Sequence, residues 1–498
     1  MTMELPHFNN AQFTFMISSR NNPLFAKQIY LSDHGLYINL SDQTDCSFAE
    51  ERTNYLYIIG LCIDSHAELD REEIPSFLIS QCKGELTTAL SLASRFAGSF
   101  VILFSIGGQL FIANDASGSI PVYYSDAKTI CVSSSDQMVS TECNYKISQY
   151  AVQIRQSQDL LQPLPNDITL YENVRILLPN HYLKLLSSDI KRYAPLHFYD
   201  KSSKKNSDQN KILEKQINQI DNIIKEYARY NHLICPLTGG RDSRLVFAFL
   251  KRHLHNLECF TFFHKGFTQS SGDIYIPQVI CDTYKIKHHL VDDLIATDSY
   301  FQSITEIIGT YHSRYTINLA YTYTSTFNGV ALVNSSILDQ VGKSLLGNSL
   351  PLFFARSSYF TAKQHNFSSA CKRETSNYID SVKAEELFPA IYDLFAIENR
   401  LGRWASQGNM IYSAAGIVNL NIFNCREIIE SWMQIPRRKR KKYFIHNYFF
   451  NAIAPDLLQF PFNPDDKTSW IKDYAPLFLI GTYAKYLAAK LRFRIKKV

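Results

Sequence analysis

Residues 236–245 read PLTGGRDSRL, and this stretch decides the fold of the second half of the chain. Upstream, His232–Leu237 (HLICPL) is a short apolar run of the kind that forms a buried strand; downstream, Leu245–Leu250 (LVFAFL) continues as helix. The loop between them therefore feeds a helix N-terminus, where backbone N–H groups lack intrahelical partners and the helix dipole is positive. An anion can take those hydrogen bonds. Gly239 and Gly240 allow a sharp turn and close backbone approach, while Thr238 and Ser243 add hydroxyl donors. Asp242 would repel a bare phosphate, so its presence implies a bridging magnesium ion. The P-loop pattern G-x-x-x-x-G-K-S/T is absent: the single Gly-Lys-Ser, Gly342–Ser344, has Ile337 where the first glycine belongs. A plain turn between strand and helix is the alternative reading of a two-glycine loop.

Working outward, Leu257–Phe263 (LECFTFF) predicts the next strand, and Ser271–Val291 predicts a helix followed by a further strand. Two strand–helix units in succession imply a parallel sheet with its ligand at the carboxyl ends of the strands. Thr238–Ser243 resembles the S-G-G-x-D-S pyrophosphatase loop of the asparagine synthetase-like amide ligases, with Thr in place of Ser, and Asp273 resembles the acidic helix start after that family's second strand. Gly329–Asn334 (GVALVN) predicts a strand; the Ser335, Ser336 and Asp339 that follow resemble the family's second loop, G-E-G-A-D-E, with Asp339 on the metal-binding Asp and Gln340 replacing the last acid. A helix-capping serine with a solvated Asp339 is the competing reading. The resemblance implies ATP and Mg2+, with nucleotide against Leu237, Thr238, Gly239, Gly240, Asp242, Ser243, Phe263 and Ser336, and metal on Asp242 and Asp339. It also implies an Arg-x-Lys beyond a C-terminal proline; the stretch Gln459–Asn463 contains no cation, and none follows before Lys467. Arg241 and Arg244 flank Asp242 as extra catalytic cations, one of them standing in for that lysine, or else Arg244 points to solvent.

The first half carries a separate match. Gly98–Asp126 alternates apolar residues around Gly107–Gly108, which predicts a hairpin. With Asp115, Gly118, Pro121, Tyr123 and Tyr124 it resembles the glutamine amidotransferase domain fused to asparagine synthetases, and Thr169–Leu183 resembles that domain's closing strands. Such domains use a first-residue cysteine whose own amine is the base. The chain reads Met1, Thr2, Met3, and its first predicted strand is Phe13–Ile17, so the expectation is a retained scaffold without glutaminase activity.

The expected fold is thus α/β with α+β: residues 1–200 an Ntn-type β-sandwich flanked by helices, residues 201–498 a doubly wound parallel-sheet domain like the adenine nucleotide α-hydrolases, with a helical C-terminal part. The boundary is set at the polar stretch Lys201–Lys211, KSSKKNSDQNK. A chain of 498 residues with 46% hydrophobic content can bury a large core. No uncharged apolar run reaches transmembrane length and no signal-peptide pattern opens the chain, which predicts a cytoplasmic protein. The 10 cysteines are scattered without Cys-x-x-Cys spacing, as expected of buried thiols. Net charge is +5, concentrated in Arg437–Lys442 (RRKRKK) and the tail from Lys490; such runs are usually solvated, with a nucleic-acid or membrane-surface patch as the alternative. Tyr474–Ala489 reads as amphipathic.

The leading expectation is an ATP-dependent amide ligase that adenylates a small-molecule, sugar-acid or peptide carboxylate. Its amine would come from ammonia, a partner protein or the substrate; nucleic acid is not an expected partner, and assembly is open, a homodimer included. The alternatives are a tRNA-modifying adenylating enzyme and a catalytically dead scaffold of the same fold.

Overall fold

The computed structural model describes residues 11–463 apart from 127–128, 157–162, 196–205, 231, 265, 310–312, 328, 330, 347–350, 365 and 367. Thr2, Pro464, Lys467, the amphipathic stretch Tyr474–Ala489 and the basic tail from Lys490 lie outside the described residues. The fold is mixed, with antiparallel sheets before residue 193 and a parallel sheet after residue 232.

The first twelve strands are β1 (Phe15–Ser18), β2 (Lys27–Leu31), β3 (Leu36–Leu40), β4 (Cys46–Glu51), β5 (Asn54–Asp64), β6 (Phe96–Ile106), β7 (Gln109–Asn114), β8 (Tyr123–Ser125), β9 (Cys131–Ser133), β10 (Val174–Ile176), β11 (His181–Lys184) and β12 (Asp189–Arg192). They form two six-stranded sheets, ordered β10-β8-β9-β1-β3-β2 and β12-β11-β7-β6-β5-β4. Side-chain alternation explains the layering. On β5 and β6, Ile59, Leu61, Val101 and Leu103 face Ile17, Ile38 and Val132 of the other sheet. The intervening Leu56, Ile58, Phe100, Ile102 and Phe104 face the opposite way and are covered by the helices Ile74–Gln81 and Leu86–Leu92. The predicted hairpin is present: Gly107 and Gly108 take φ +58° and +74° in the turn between β6 and β7, a conformation that favours glycine.

The second half is built on β13 (Leu233–Pro236), β14 (Glu258–Phe263), β15 (Lys287–Asp292), β16 (Ala331–Val333) and β17 (Val418–Leu420), all parallel, in the order β15-β14-β13-β16-β17. One face, with Leu233, Cys235, Cys259 and Val333, packs on the helices Asn206–Tyr227, Arg241–Leu250 and Gly272–Tyr284. The other, with Ile234, Phe260 and Leu332, packs on Asp298–Ile308, Arg314–Thr326 and Ser406–Ala414. The order reverses between β13 and β16, so the crevice of this sheet opens where the 236–241 loop meets the segment after β16. The helix Asn206–Tyr227 begins inside the polar stretch expected to divide the two halves, whose first part lies outside the described residues. All 10 cysteines are free, and no helix among the described residues is long and apolar enough to cross a membrane.

The halves are not loosely joined. One hydrophobic cluster runs from Ile17 and Leu103 to Phe249, Trp432 and Phe449. Asp115, the first residue of the amidotransferase-like hairpin motif, accepts from the N–H groups of Ser117 (3.0 Å) and Ser119 (3.1 Å) and from Asn424 Nδ2 (2.9 Å) across the interface. Glu398, fully buried, receives Arg192, Asn180 Nδ2 (2.7 Å) and Tyr378 OH (2.7 Å). Burial by itself would raise the Glu398 carboxyl, but the charges of Arg192 and His181 and the hydrogen bonds from Arg192 and Asn180 outweigh it and hold the group below its ordinary value.

The basic run corrects the sequence expectation of a solvated patch. Arg437–Lys441 is a short helix in which Arg440 is fully buried, paired with Asp393 (Nη2–Oδ2, 2.7 Å) and donating to the Val341 carbonyl (2.6 Å). Arg437 lies over the Tyr392 ring (4.4 Å) and Lys439 donates to Gln209 (2.9 Å); only Arg438 and Lys442 of the run are exposed. A guanidinium with enough internal acceptors can be buried, and hydropathy alone does not reveal them.

Glu398→Gln leaves Arg192 short of a buried counter-charge and is expected to lower stability at neutral pH by about 3 kcal/mol, measured as a lower denaturation midpoint. Because the folded value of Glu398 lies below its unfolded one, its contribution is complete above the ordinary carboxylate value and is lost as pH falls through the folded value. Wild type and variant are therefore expected to converge in acid.

Candidate functional site

The 236–241 loop is a continuation of β13 fixed at both ends. Leu237 N–H donates to Phe260 O (2.9 Å), and Leu237 O accepts from Thr261 Oγ1 (2.6 Å), which also contacts His288 Nε2 (2.9 Å). Thr238 and Ser243 then close the turn on themselves. The hydroxyls are 2.9 Å apart, Ser243 Oγ accepts from Thr238 N–H (3.1 Å), and Thr238 Oγ1 accepts from Gly240 N–H (3.2 Å). Gly240 is the N-cap of the helix Arg241–Leu250 in extended conformation, with no side-chain cap. The helix end is therefore left without a side-chain acceptor of its own.

Gly239 is glycine for a steric reason. A Cβ there would collide with Asn463 Oδ1 and lie 2.9 Å from Gly272 O. Gly239 N–H donates to Asp273 Oδ1 (2.9 Å), Asn463 Nδ2 donates to the same oxygen (2.6 Å), and Asn463 N–H donates to Gly239 O (2.9 Å). The segment 460–463 is thus strapped across the loop. Arg244 is the strap's anchor: it is fully buried and donates to the carbonyls of Phe460 (3.0 Å), Pro461 (2.7 Å) and Gly239 (3.3 Å). The solvated reading of Arg244 gives way to this buried position, in which three backbone carbonyls accept from Nη1 and Nη2. Arg241 and Arg244 each lie 3.9 Å from the Phe462 ring, and Arg241 is also 4.6 Å from the ring of Tyr443.

Asp242 projects toward the segment after β16. Its Oδ1 is 2.6 Å from Nε2 of His446, a fully buried imidazole. Burial would raise the Asp242 carboxyl, yet the His446 hydrogen bond and the charges of His446, Lys343 and Arg241 hold it below its ordinary value. Asp339 sits in a π-helical turn, Leu338–Gly342, and its carboxyl is pushed up to about 6 by burial and then by the charge of Asp242, against Lys343 and Arg400. The two carboxylates therefore feel each other across the crevice between β13 and β16. Lys343 is the group that links them: burial would lower its ammonium, and Asp242, Tyr443 and Asp339 raise it. Gln340, in place of an acid, donates to Asp339 Oδ2 (2.8 Å).

Ser336 is held aside from this pair. Its N–H and hydroxyl both donate to Asn334 Oδ1 (3.1 and 2.8 Å), and its hydroxyl accepts from Asn421 Nδ2 (3.3 Å). Phe263 ends β14, partly buried, on the side of β13 away from β16.

Lys343, His446, Tyr443 and Asn463 were not anticipated from the sequence. Lys343 falls in the Gly-Lys-Ser that fails the P-loop pattern; its spacing of four from Asp339, which stacks both on one face of a helical turn, was the available signal. His446 and Asn463 are 204 and about two hundred positions from the groups they meet, and no local pattern marks them.

No group of three or more His, Cys, Asp or Glu suited to a metal ion occurs among the described residues. Asp242 and Asp339 are by type suited to Mg2+, which is commonly held by one or two protein carboxylates while phosphate and water oxygens complete its shell. No family model matches the chain, and no curated protein matches it. Among solved structures, a U34-tRNA thiolase from Methanococcus maripaludis with its 4Fe-4S cluster aligns at 12% identity over 38% of this chain and 76% of that one, TM-score 0.18. A glutamine phosphoribosylpyrophosphate amidotransferase from B. subtilis, complexed with ADP and GMP, aligns at 11% identity over 74% of each chain, TM-score 0.24. Superpositions this loose decide neither fold nor function.

Gly239→Ala drives a methyl into Asn463 and is expected to destabilise the protein by about 1–3 kcal/mol. Faster amide hydrogen exchange at Asn463, with exchange in β5 and β6 unchanged, is the expected local signature.

Proposed function

We propose that this chain is an ATP-dependent carbon–nitrogen ligase of the asparagine synthetase type, in which residues 1–200 are an Ntn-type amidotransferase-like scaffold and residues 201–498 adenylate a substrate carboxylate. The observation that carries the reading is the placement of Asp242, on the T-G-G-R-D-S loop, and Asp339, on the π-turn after β16, at the reversal point of a parallel sheet. Ligands of such sheets bind in that crevice.

In this reading the triphosphate lies along residues 238–243, with its oxygens on the open first turn of the helix Arg241–Leu250. Thr238 and Ser243 hold the turn; Asp242 and Asp339 would hold Mg2+, which when bound neutralises charge on the phosphates. A carboxylate oxygen of the substrate attacks the α-phosphorus, the bond to pyrophosphate breaks, and an amine then displaces AMP from the acyl-adenylate. His446 keeps Asp242 ionised and oriented through its 2.6 Å contact. Arg244 keeps the strap and the loop in register.

Loss of glutaminase activity is supported by the chain that enters β1. Ala11 is fully buried, Gln12 N–H donates to Ser413 O (3.2 Å), Thr14 N–H donates to Thr44 Oγ1 (2.9 Å), and this entry into β1, Ala11–Ser18, holds no cysteine to serve as the nucleophile. The amine is accordingly ammonia, a donor delivered by a partner, or an amino group on the substrate. The acceptor class stays within small-molecule, sugar-acid and peptide carboxylates, and a cytoplasmic setting suits the free thiols.

ATP–pyrophosphate exchange, measured with magnesium against aspartate, uronic acids, acidic peptides and bulk tRNA, tests the reading. Exchange is expected with one carboxylate class, and Asp242→Ala is expected to abolish it while the melting temperature stays near wild type. Exchange driven by tRNA alone would favour the base-modifying alternative; failure of the wild type to bind ATP would favour the scaffold.

A further inference from the structure

Tyr443 has a backbone of a kind that side chains rarely adopt, φ +59°, at the start of the helix Phe444–Ile453. Non-glycine residues persist in that region when surrounding contacts over-determine them, and such positions gather at ligand sites. The contacts here are cationic. Arg241 Cζ lies 4.6 Å from the Tyr443 ring centroid and Lys343 Nζ lies 5.4 Å from it, one cation arriving from the loop after β13 and the other from the turn after β16. The ring also meets His446 edge-on at 5.4 Å, and His446 in turn holds Asp242. Arg241 and Lys343 carry like charges to one ring and repel each other, so an anion that bridges them is favoured. Arg400 adds a third cation facing Asp339, with a buried Nε that has no hydrogen-bond partner among the described residues. Cations gathered from two segments at one ring, beside a helix N-terminus without a side-chain cap, suit an anion.

We propose that Lys343 and Arg241, positioned together on the Tyr443 ring, bind the β- and γ-phosphates of the nucleotide and the pyrophosphate that leaves. This rests on the ligase reading given above and deepens it. It assigns the phosphate-contacting lysine to the turn that carries Asp339, four residues further on, instead of to the segment beyond the C-terminal proline. Tyr443 is a positioning residue in this account and touches no reacting atom. The chain's own residues then supply a charge balance suited to the substrate: two cations on the phosphate oxygens, and two carboxylates for the metal that accompanies them.

The test uses the full-length protein in magnesium buffer and calorimetric titration with inorganic pyrophosphate, ATP and adenosine. Lys343→Met is expected to weaken pyrophosphate and ATP about 10- to 100-fold, the loss of one charge-assisted hydrogen-bonding group, and to leave adenosine binding unchanged. Lys343→Arg is expected to restore most of the pyrophosphate affinity. Tyr443→Leu, which keeps both cations and removes their common support, is expected to weaken pyrophosphate by a smaller factor with the same indifference to adenosine, and it serves if Lys343→Met does not fold. Pyrophosphate binding by folded Lys343→Met or Tyr443→Leu at the wild-type affinity overturns the assignment while leaving the ligase reading intact. A parallel loss of adenosine binding would mark a merely structural role and overturn it as well. Wild-type protein that binds neither ATP nor pyrophosphate overturns the ligase reading and this inference together.

Discussion

The parallel pairing of β13 with β16 is the constraint on which the site depends. Leu233 and Ile234 lie beside Ala331 and Leu332, and because the strands run the same way, the segments leaving them emerge at one edge of the sheet. β14 and β15 extend the sheet to one side and β17 to the other, so nothing in the sheet itself covers the gap between the two exits. Asp242 enters that gap on a helix start and Asp339 on a π-turn. Burial and the charge of Asp242 together hold the Asp339 carboxyl up, a consequence of the strand pairing that brings the two segments to one edge.

Buried arginines do much of the structural work around this gap. Arg244 fastens the 460–463 strap to Gly239, and Arg440 fastens the π-turn to Asp393 through the Val341 carbonyl. Arg403, buried too, donates to Ile168 O (2.6 Å) in the first half. Planar guanidinium groups suit such places because several fixed donors can satisfy carbonyls that loops leave open, which a lysine cannot do in the same geometry. The loops that bear Asp242 and Asp339 are thus held by side chains as well as by the sheet, and a site of this kind is pre-organised before ligand arrives.

The first half is packed against the second as part of one core. Asp115 binds Asn424, Glu398 binds Arg192 and Asn180, and Gly402 is so close to Pro179 that a side chain there would collide with the ring. Apolar side chains of both halves belong to one continuous cluster, so separating the halves would expose apolar surface to water.

Local pattern was enough for much of the architecture. The alternation on either side of Gly107–Gly108 gave a hairpin, the apolar runs at 232–237 and 257–263 gave neighbouring strands, and T-G-G-R-D-S gave a loop opening a helix, because residue type acts on backbone dihedrals and on which face is apolar within a few positions. The same locality explains the misreadings. Arg244 and Arg440 are cations by composition and interior residues by contact, and Lys343 lay inside a failed motif. Sequence determined which segments are strands, turns and helices and which loop opens a helix at the end of a strand. Tertiary structure alone decided that His446 meets Asp242, that Tyr443 gathers Arg241 and Lys343, and that Asn463 closes over Gly239. These contacts join positions that no period or spacing relates, and only the pairing of distant strands and the burial of distant faces brings them within hydrogen-bond reach.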